Sequence, residues 1–141
     1  MTTAILWPVF ALVALIFSVW VQVPLKRLAH IAANPPKRED FATGDAARRY
    51  FGPVDLPANN LANLFEMPVL FFALVPLLLL PRHSGHAEVA LAWVYVALRA
   101  AHSIVHTGTN VVRVRFFIYL ASCAVLLAMW LGFAIDIGLG R

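Results

Sequence analysis

Polar side chains are sparse in this chain and fall between four long apolar runs. The runs extend from Ala4 to Leu25, about Pro57 to Leu80, about Ala87 to Thr107 and about Val112 to Leu139. A helix rises about 1.5 Å per residue, so about 20 apolar residues cross a hydrocarbon core about 30 Å thick. The pattern predicts four spans, over residues 4–27, 57–80, 87–107 and 112–139, joined by one long connection over 28–56. The fold class implied is an all-α integral membrane protein, a four-transmembrane-helix bundle forming a single domain over 1–141.

The punctuation between the runs is chemically specific. Asn34-Pro35-Pro36 ends the first helix, because a residue before proline is pushed out of the helical region. Lys37-Arg38-Glu39-Asp40, Asp45, Arg48-Arg49 and Gly52-Pro53 then form a solvated, turn-rich connection. Within it a short helix is expected around Gly44–Tyr50, capped by Thr43 or Asp45. Pro81–His86 and Thr107–Asn110 read as turns. Pro68 and Pro76 lie inside the second run, where a membrane helix tolerates proline but bends.

Composition agrees, with 62% hydrophobic and 13% charged residues. Soluble domains carry about 45–50% apolar and about 25% charged residues, so a soluble fold is excluded. The formal charge of +4 would suggest a nucleic-acid partner in a soluble protein. Here it follows topology instead, and no nucleic-acid partner is expected. Lys26, Arg27, Lys37, Arg38, Arg48 and Arg49 flank the first connection, and Arg113 and Arg115 follow the third span. Arg82 stands alone between spans two and three, and Arg141 ends the chain. The positive-inside rule puts the first and third connections in the cytoplasm and both termini outside. Met1-Thr2-Thr3 carries no side-chain charge and the first run is too long for a signal peptide, so it reads as a span. A bacterial inner membrane is the expected location. The single cysteine, Cys123, rules out an internal disulfide and reads as a small packing residue.

The exceptions to apolarity inside the spans point to a site. At 100° per residue Arg99, His102 and His106 share one helical face, with Ser103 at its edge. An arginine near the centre of a membrane helix costs about 2.5–3.5 kcal/mol, so such residues face a protein interior or a ligand. Asn59, Asn63 and Glu66 share a face of the second span. Arg115, Tyr119 and Ser122 share one of the fourth, and Gln22, Lys26 and His30 one of the first. Glu66 lies roughly 14 Å inside its helix from the same side as Arg99 and Arg115, leaving the opposite half nearly pure hydrocarbon. Lys26, Arg99 and Arg115 against Glu66 leave the cluster net positive, whereas a purely structural network tends toward neutrality. An amphoteric ligand, with carboxylates for the arginines and an ammonium for Glu66, would balance it. Two other readings stay open. Glu66 can pair with Arg99 or Arg115 in a polar seam, with Asn63 as interhelical glue. His102 and His106 can hold a haem, quinone or metal, although no Glu partner motif or second histidine pair supports a metal site.

These residues resemble a family. Lys26 ahead of Asn34-Pro35, Asn63-Leu-Phe-Glu66, Arg99-Ala-Ala-His102, and Arg115 with Tyr119 one turn later are similar to motifs of the MAPEG superfamily. That superfamily comprises membrane-associated proteins in eicosanoid and glutathione metabolism, including the microsomal glutathione transferases; a bacterial member is expected here. The resemblance covers essentially the whole chain. It implies a homotrimer binding glutathione as cosubstrate between subunits and acting on lipids or lipophilic small molecules. It further implies Arg115 as the catalytic cation that stabilises the thiolate. Lys26, Asn63, Glu66, Arg99, His102, His106 and Tyr119 would contact glutathione, Glu66 through its amino group. The chain departs from the family at Asn59 and Ala62, which stand where basic residues precede the Asn-x-x-Glu motif. It departs again at His106, which replaces a tyrosine. The activity implied is a glutathione-dependent transferase or peroxidase acting on lipophilic electrophiles. The rival is a non-catalytic trimeric scaffold or lipid-binding protein that keeps the fold.

Overall fold

A computed structural model describes residues 3–79 and 85–140. The turn expected after Leu80 lies, up to Ser84, outside the described residues, as does Arg141. The helices are α1 (Leu6–Ala33), α2 (Gly44–Phe51), α3 (Leu56–Leu64), α4 (Pro68–Leu79), α5 (His86–Thr107) and α6 (Val112–Gly138). Short 3-10 turns at Arg38–Phe41 and Gly52–Val54 flank α2. Four segments are long and apolar enough to cross a membrane: Leu6–Ala33, Leu56–Leu79, His86–Thr107 and Val112–Gly138.

Helix α5 is the hub. It packs antiparallel on α6 and also touches α1 and α3, while α3 leans on α1 and α4 on α6. Leu12 and Val19 of α1, Leu64 of α3, Phe71, Leu74 and Leu78 of α4, Ala92 and Tyr95 of α5, and Leu126 and Met129 of α6 form the apolar core. Phe71 and Tyr95 stack with ring centroids 4.9 Å apart. The outside is equally apolar: Trp7, Phe10 and Phe17 on α1 and Phe117, Leu127, Leu131 and Ile135 on α6 are all exposed. Apolar residues outside and an arginine inside invert the usual arrangement, which suits hydrocarbon as the solvent.

One feature differs from the pattern-based expectation. Helix α1 runs to Ala33, where the Asn34 N–H still donates to the His30 carbonyl at 2.8 Å before the prolines stop it, as Asn34-Pro35-Pro36 predicts. The connection carries α2 where the short helix is expected. Thr43 Oγ1 caps α2 by accepting from the Ala46 N–H at 3.1 Å. The Tyr50 hydroxyl donates to the Asn34 carbonyl, and the His30 and Tyr50 rings meet edge to face at 4.9 Å. Arg27 donates through Nε and Nη2 to Asp55 Oδ1 at 3.0 and 2.8 Å, with its guanidinium 4.8 Å over the Phe51 ring. This clasp ties the start of α3 to α1.

The difference is that the second span is two helices. Pro68 has no N–H to bond the Leu64 carbonyl, and its ring crowds that carbonyl. The chain turns through Phe65–Met67 with i to i−3 bonds, Phe65 N–H to Ala62 O at 3.0 Å and Leu70 N–H to Met67 O at 3.0 Å.

The clasp leads to a prediction. Replacing Asp55 with Asn removes the charge partner of Arg27; at half-exposed positions this costs about 1 kcal/mol. In detergent, Asp55→Asn should lower the unfolding midpoint by a few degrees and speed proteolysis between residues 34 and 55. Cleavage at the wild-type rate would show that the clasp does not hold the connection.

Candidate functional site

The polar face of α5 turns inward. Arg99 is 0% exposed, and His102, Ser103 and His106 are each 2% exposed. Helix α3 meets this face with Asn60, whose Oδ1 accepts from Ser103 Oγ at 3.4 Å, and with the Asn63 carbonyl, which accepts from Arg99 Nη2 at 3.0 Å. The Arg99 guanidinium carbon lies 5.3 Å from the Tyr119 ring centroid, a cation–π contact with α6. Its Nε and Nη1 have no partner. Among the described residues the ion pairs are Arg27–Asp55 and Arg48–Asp45, so no carboxylate lies within 4.0 Å of Arg99. The His102 ring stands 5.7 Å from Tyr119 and edge-on to His106 at 5.4 Å. Both histidine Nδ1 atoms are buried without a partner, as are Asn60 Nδ2 and the Tyr95 hydroxyl.

Arg115 enters from the other side of the α5–α6 turn. Asn110 adopts φ 49°, in the left-handed region that asparagine tolerates, and its N–H donates to the Val105 carbonyl at 2.7 Å. From that position Asn110 Oδ1 accepts from Arg115 Nη1 at 2.8 Å. The turn thus sets the direction of the arginine. Asn63, His102, Val112, Arg115, Phe116 and Tyr119 line a cleft of about 170 Å³. Along α6 an apolar groove of about 380 Å³ follows, lined by Met67, Leu70, Cys123, Leu126, Leu127 and Trp130.

The structure thus gathers Asn63, His102, Arg115 and Tyr119 around one cleft, with Arg99 and His106 buried behind His102 and Tyr119. Neither Lys26 nor Glu66 lines this cleft within one protomer. Lys26 is exposed on α1, and Glu66 is exposed within the turn between α3 and α4. The shared face expected for Asn59, Asn63 and Glu66 assumes an unbroken helix. The Pro68 break leaves Glu66 in the turn, and among the described residues no ion pair forms between Glu66 and Arg99 or Arg115. Asn59 is exposed, and Asn60 takes the buried position instead. The signal for Asn60 was present: it stands three residues after Pro57 and four before Leu64, both buried. Asn110, read only as a turn residue, also holds the Arg115 side chain.

A four-span membrane protein with a cation-bearing polar cleft among its second, third and fourth spans is the class that fold and cleft define. The chain belongs to the MAPEG family, whose model matches residues 5–135. No curated protein and no solved structure matches it significantly.

A buried cation without a carboxylate is destabilising, and an apolar side chain of similar length removes the desolvation cost. Arg99→Met should therefore unfold at or above the wild-type midpoint, with a gain of about 1–3 kcal/mol. Thermal unfolding in detergent measures this. A clear drop in the midpoint would show that the Asn63 and Tyr119 contacts outweigh desolvation.

Proposed function

We propose that this MAPEG protein is a glutathione-dependent transferase or peroxidase acting on lipophilic electrophiles. The observation that carries the reading is the Arg115 guanidinium, oriented by Asn110 at a cleft whose other polar liners are Tyr119, His102 and Asn63. A thiol with pKa about 8.5 is mostly protonated near pH 7, and a neighbouring guanidinium favours the thiolate. Arg115 is the catalytic cation. Tyr119 and His102 offer hydrogen bonds to the sulfur or to the peptide of glutathione. Arg99 acts behind them by fixing the Asn63 carbonyl and the Tyr119 ring. In conjugation the thiolate sulfur attacks an electrophilic carbon, the leaving group departs with the bonding pair, and the thiol proton passes to solvent. In peroxide reduction the sulfur attacks the peroxide oxygen to give a sulfenic acid and an alcohol. A second thiol then yields the disulfide and water. The apolar groove beyond Tyr119 gives a lipophilic substrate a path from the bilayer. The setting proposed is a bacterial inner membrane with both termini on the non-cytoplasmic side.

One observation favours self-association, whether catalytic or purely structural. Lys26 and Glu66 are exposed charges of opposite sign on otherwise apolar spans. A second copy would cover them, as in the homotrimer that the family resemblance implies. Glu66→Gln separates the readings: a dissociated oligomer in detergent supports the scaffold, whereas an intact oligomer with weaker glutathione binding supports the enzyme.

Calorimetry of the purified protein with millimolar glutathione tests the enzyme reading, and saturable heat is expected. Arg115→Ala should lower turnover of an activated aryl halide by about 10²-fold, the usual cost of losing one charge-stabilising donor. Arg115→Lys should restore part of it. Absence of binding heat from the wild type would sink the proposal.

A further inference from the structure

Two arginines open α6, and only one is turned inward. Arg113 is exposed, whereas Arg115 is half-buried and lines the cleft. A partner distinguishes them: Asn110 Oδ1 accepts from Arg115 Nη1 at 2.8 Å. The helix itself does not favour a cation there. Helix N-termini carry positive partial charge, and the first turn of α6 has no acidic residue and no side-chain cap. The Arg115 N–H, bonded to the Val111 carbonyl at 3.0 Å, lies at the end of that turn. The Asn110 amide therefore holds the guanidinium where the helix repels it. This contact lies within one chain, so it does not depend on what a second copy adds to the cleft.

The turn alone does not require asparagine. A φ of 49° admits asparagine, aspartate or glycine, and the bond from the N–H of residue 110 to the Val105 carbonyl is made by the backbone. For stability, aspartate is the better residue. It reaches the same guanidinium, and it sets a negative charge one residue before Val111, the N-cap of α6. Its carboxylate would also neutralise both the guanidinium and the positive helix end. The amide oxygen of Asn110 orients Arg115 with a partial charge only, and the full charge stays directed at the cleft.

We propose that Asn110 is a positioning residue for the thiolate: its neutral carbonyl aims Arg115 at the sulfur without cancelling the charge. An aspartate in its place would hold the arginine as well and leave the bound thiol largely protonated near neutral pH. This inference rests on the transferase reading and names what sets the acidity of the bound thiol. Arg99, His102 and His106 on α5, Arg113 and Tyr119 on α6, and Glu66 between α3 and α4 are the other titratable or charged groups of the elements that meet here. They are the same in every variant at position 110.

The test follows kcat against pH at saturating glutathione with one aryl halide, for the wild type, Asn110→Asp and Asn110→Gly in detergent. That profile reports the ionisation of the bound thiol. An opposite charge nearby moves a pKa by about one to three pH units, so cancelling it in Asn110→Asp should raise the profile's midpoint by about one unit or more. Its kcat should then be about tenfold lower near pH 7, and the loss should shrink as pH passes the new pKa. Its unfolding midpoint should equal or exceed that of the wild type. Asn110→Gly keeps the turn and removes the acceptor, and its profile should move in the same direction. A wild-type profile in either variant would overturn the inference, as would a fall in kcat that is equal at every pH or a change confined to KM. Each of these leaves the transferase reading standing. Wild-type turnover no faster than the uncatalysed rate would overturn both.

Discussion

The guanidinium of Arg99 is the constraint around which this bundle is arranged. It is completely buried, and no carboxylate among the described residues neutralises it. A cation in such a place is held by partial charges: the Asn63 carbonyl on α3 and the face of Tyr119 on α6. These partners belong to the helices that meet α5, so one side chain fixes the relative position of three spans. Two of the cleft's liners follow from that. Asn63 is a liner because its backbone is pinned, and Tyr119 because its ring is covered. His102 stands one turn from Arg99 on the same face.

Such an arrangement is tolerable only in a particular solvent. In water the exposed Trp7, Phe10, Phe117 and Leu131 would dominate association. In hydrocarbon the outer residues cost nothing, and a polar interior becomes the way to hold helices that have no hydrophobic drive to pack. The loop end of the bundle needs other means. There Arg27 is doubly bonded to Asp55 and laid over Phe51, while His30, Phe41, Tyr50 and Phe51 form an aromatic cluster that closes the connection onto α1. Two anchoring modes therefore divide the molecule, ionic and aromatic near the connection, neutral and cation–π inside.

The legible part of the fold is the part governed by periodicity. Arg99, His102 and His106 lie on an uninterrupted helix, so spacing alone put them on one inward face, and Ser103 beside them. Thr43 was legible as a cap because capping depends on one side chain and one N–H. The place of Glu66 in a turn was not legible, for a physical reason: Pro68, two residues later, interrupts the continuous helix that a helical wheel assumes. Asn60 was missed because two adjacent asparagines compete for one buried site, and its spacing from Pro57 and Leu64 decides between them only once those two are known to be buried. Arg27 read as a topology marker, since nothing in local spacing reveals a partner at Asp55, 28 residues away.

His106 is where these arguments meet the chemistry. A tyrosine at this position would offer a hydroxyl about one ring length from the backbone, able to donate toward the cleft. The imidazole is shorter and lies edge-on to His102, with Nδ1 buried and without a partner. It therefore supports His102 from behind and does not line the cleft. Of the polar side chains of α5 only His102 lines the cleft, and its cation is Arg115, whose direction is set by a left-handed asparagine in the turn. The Arg115 guanidinium and the helix turn are thus one structural unit. Any change that relaxes φ at Asn110 moves the charge away from the cleft before it alters the cleft's shape.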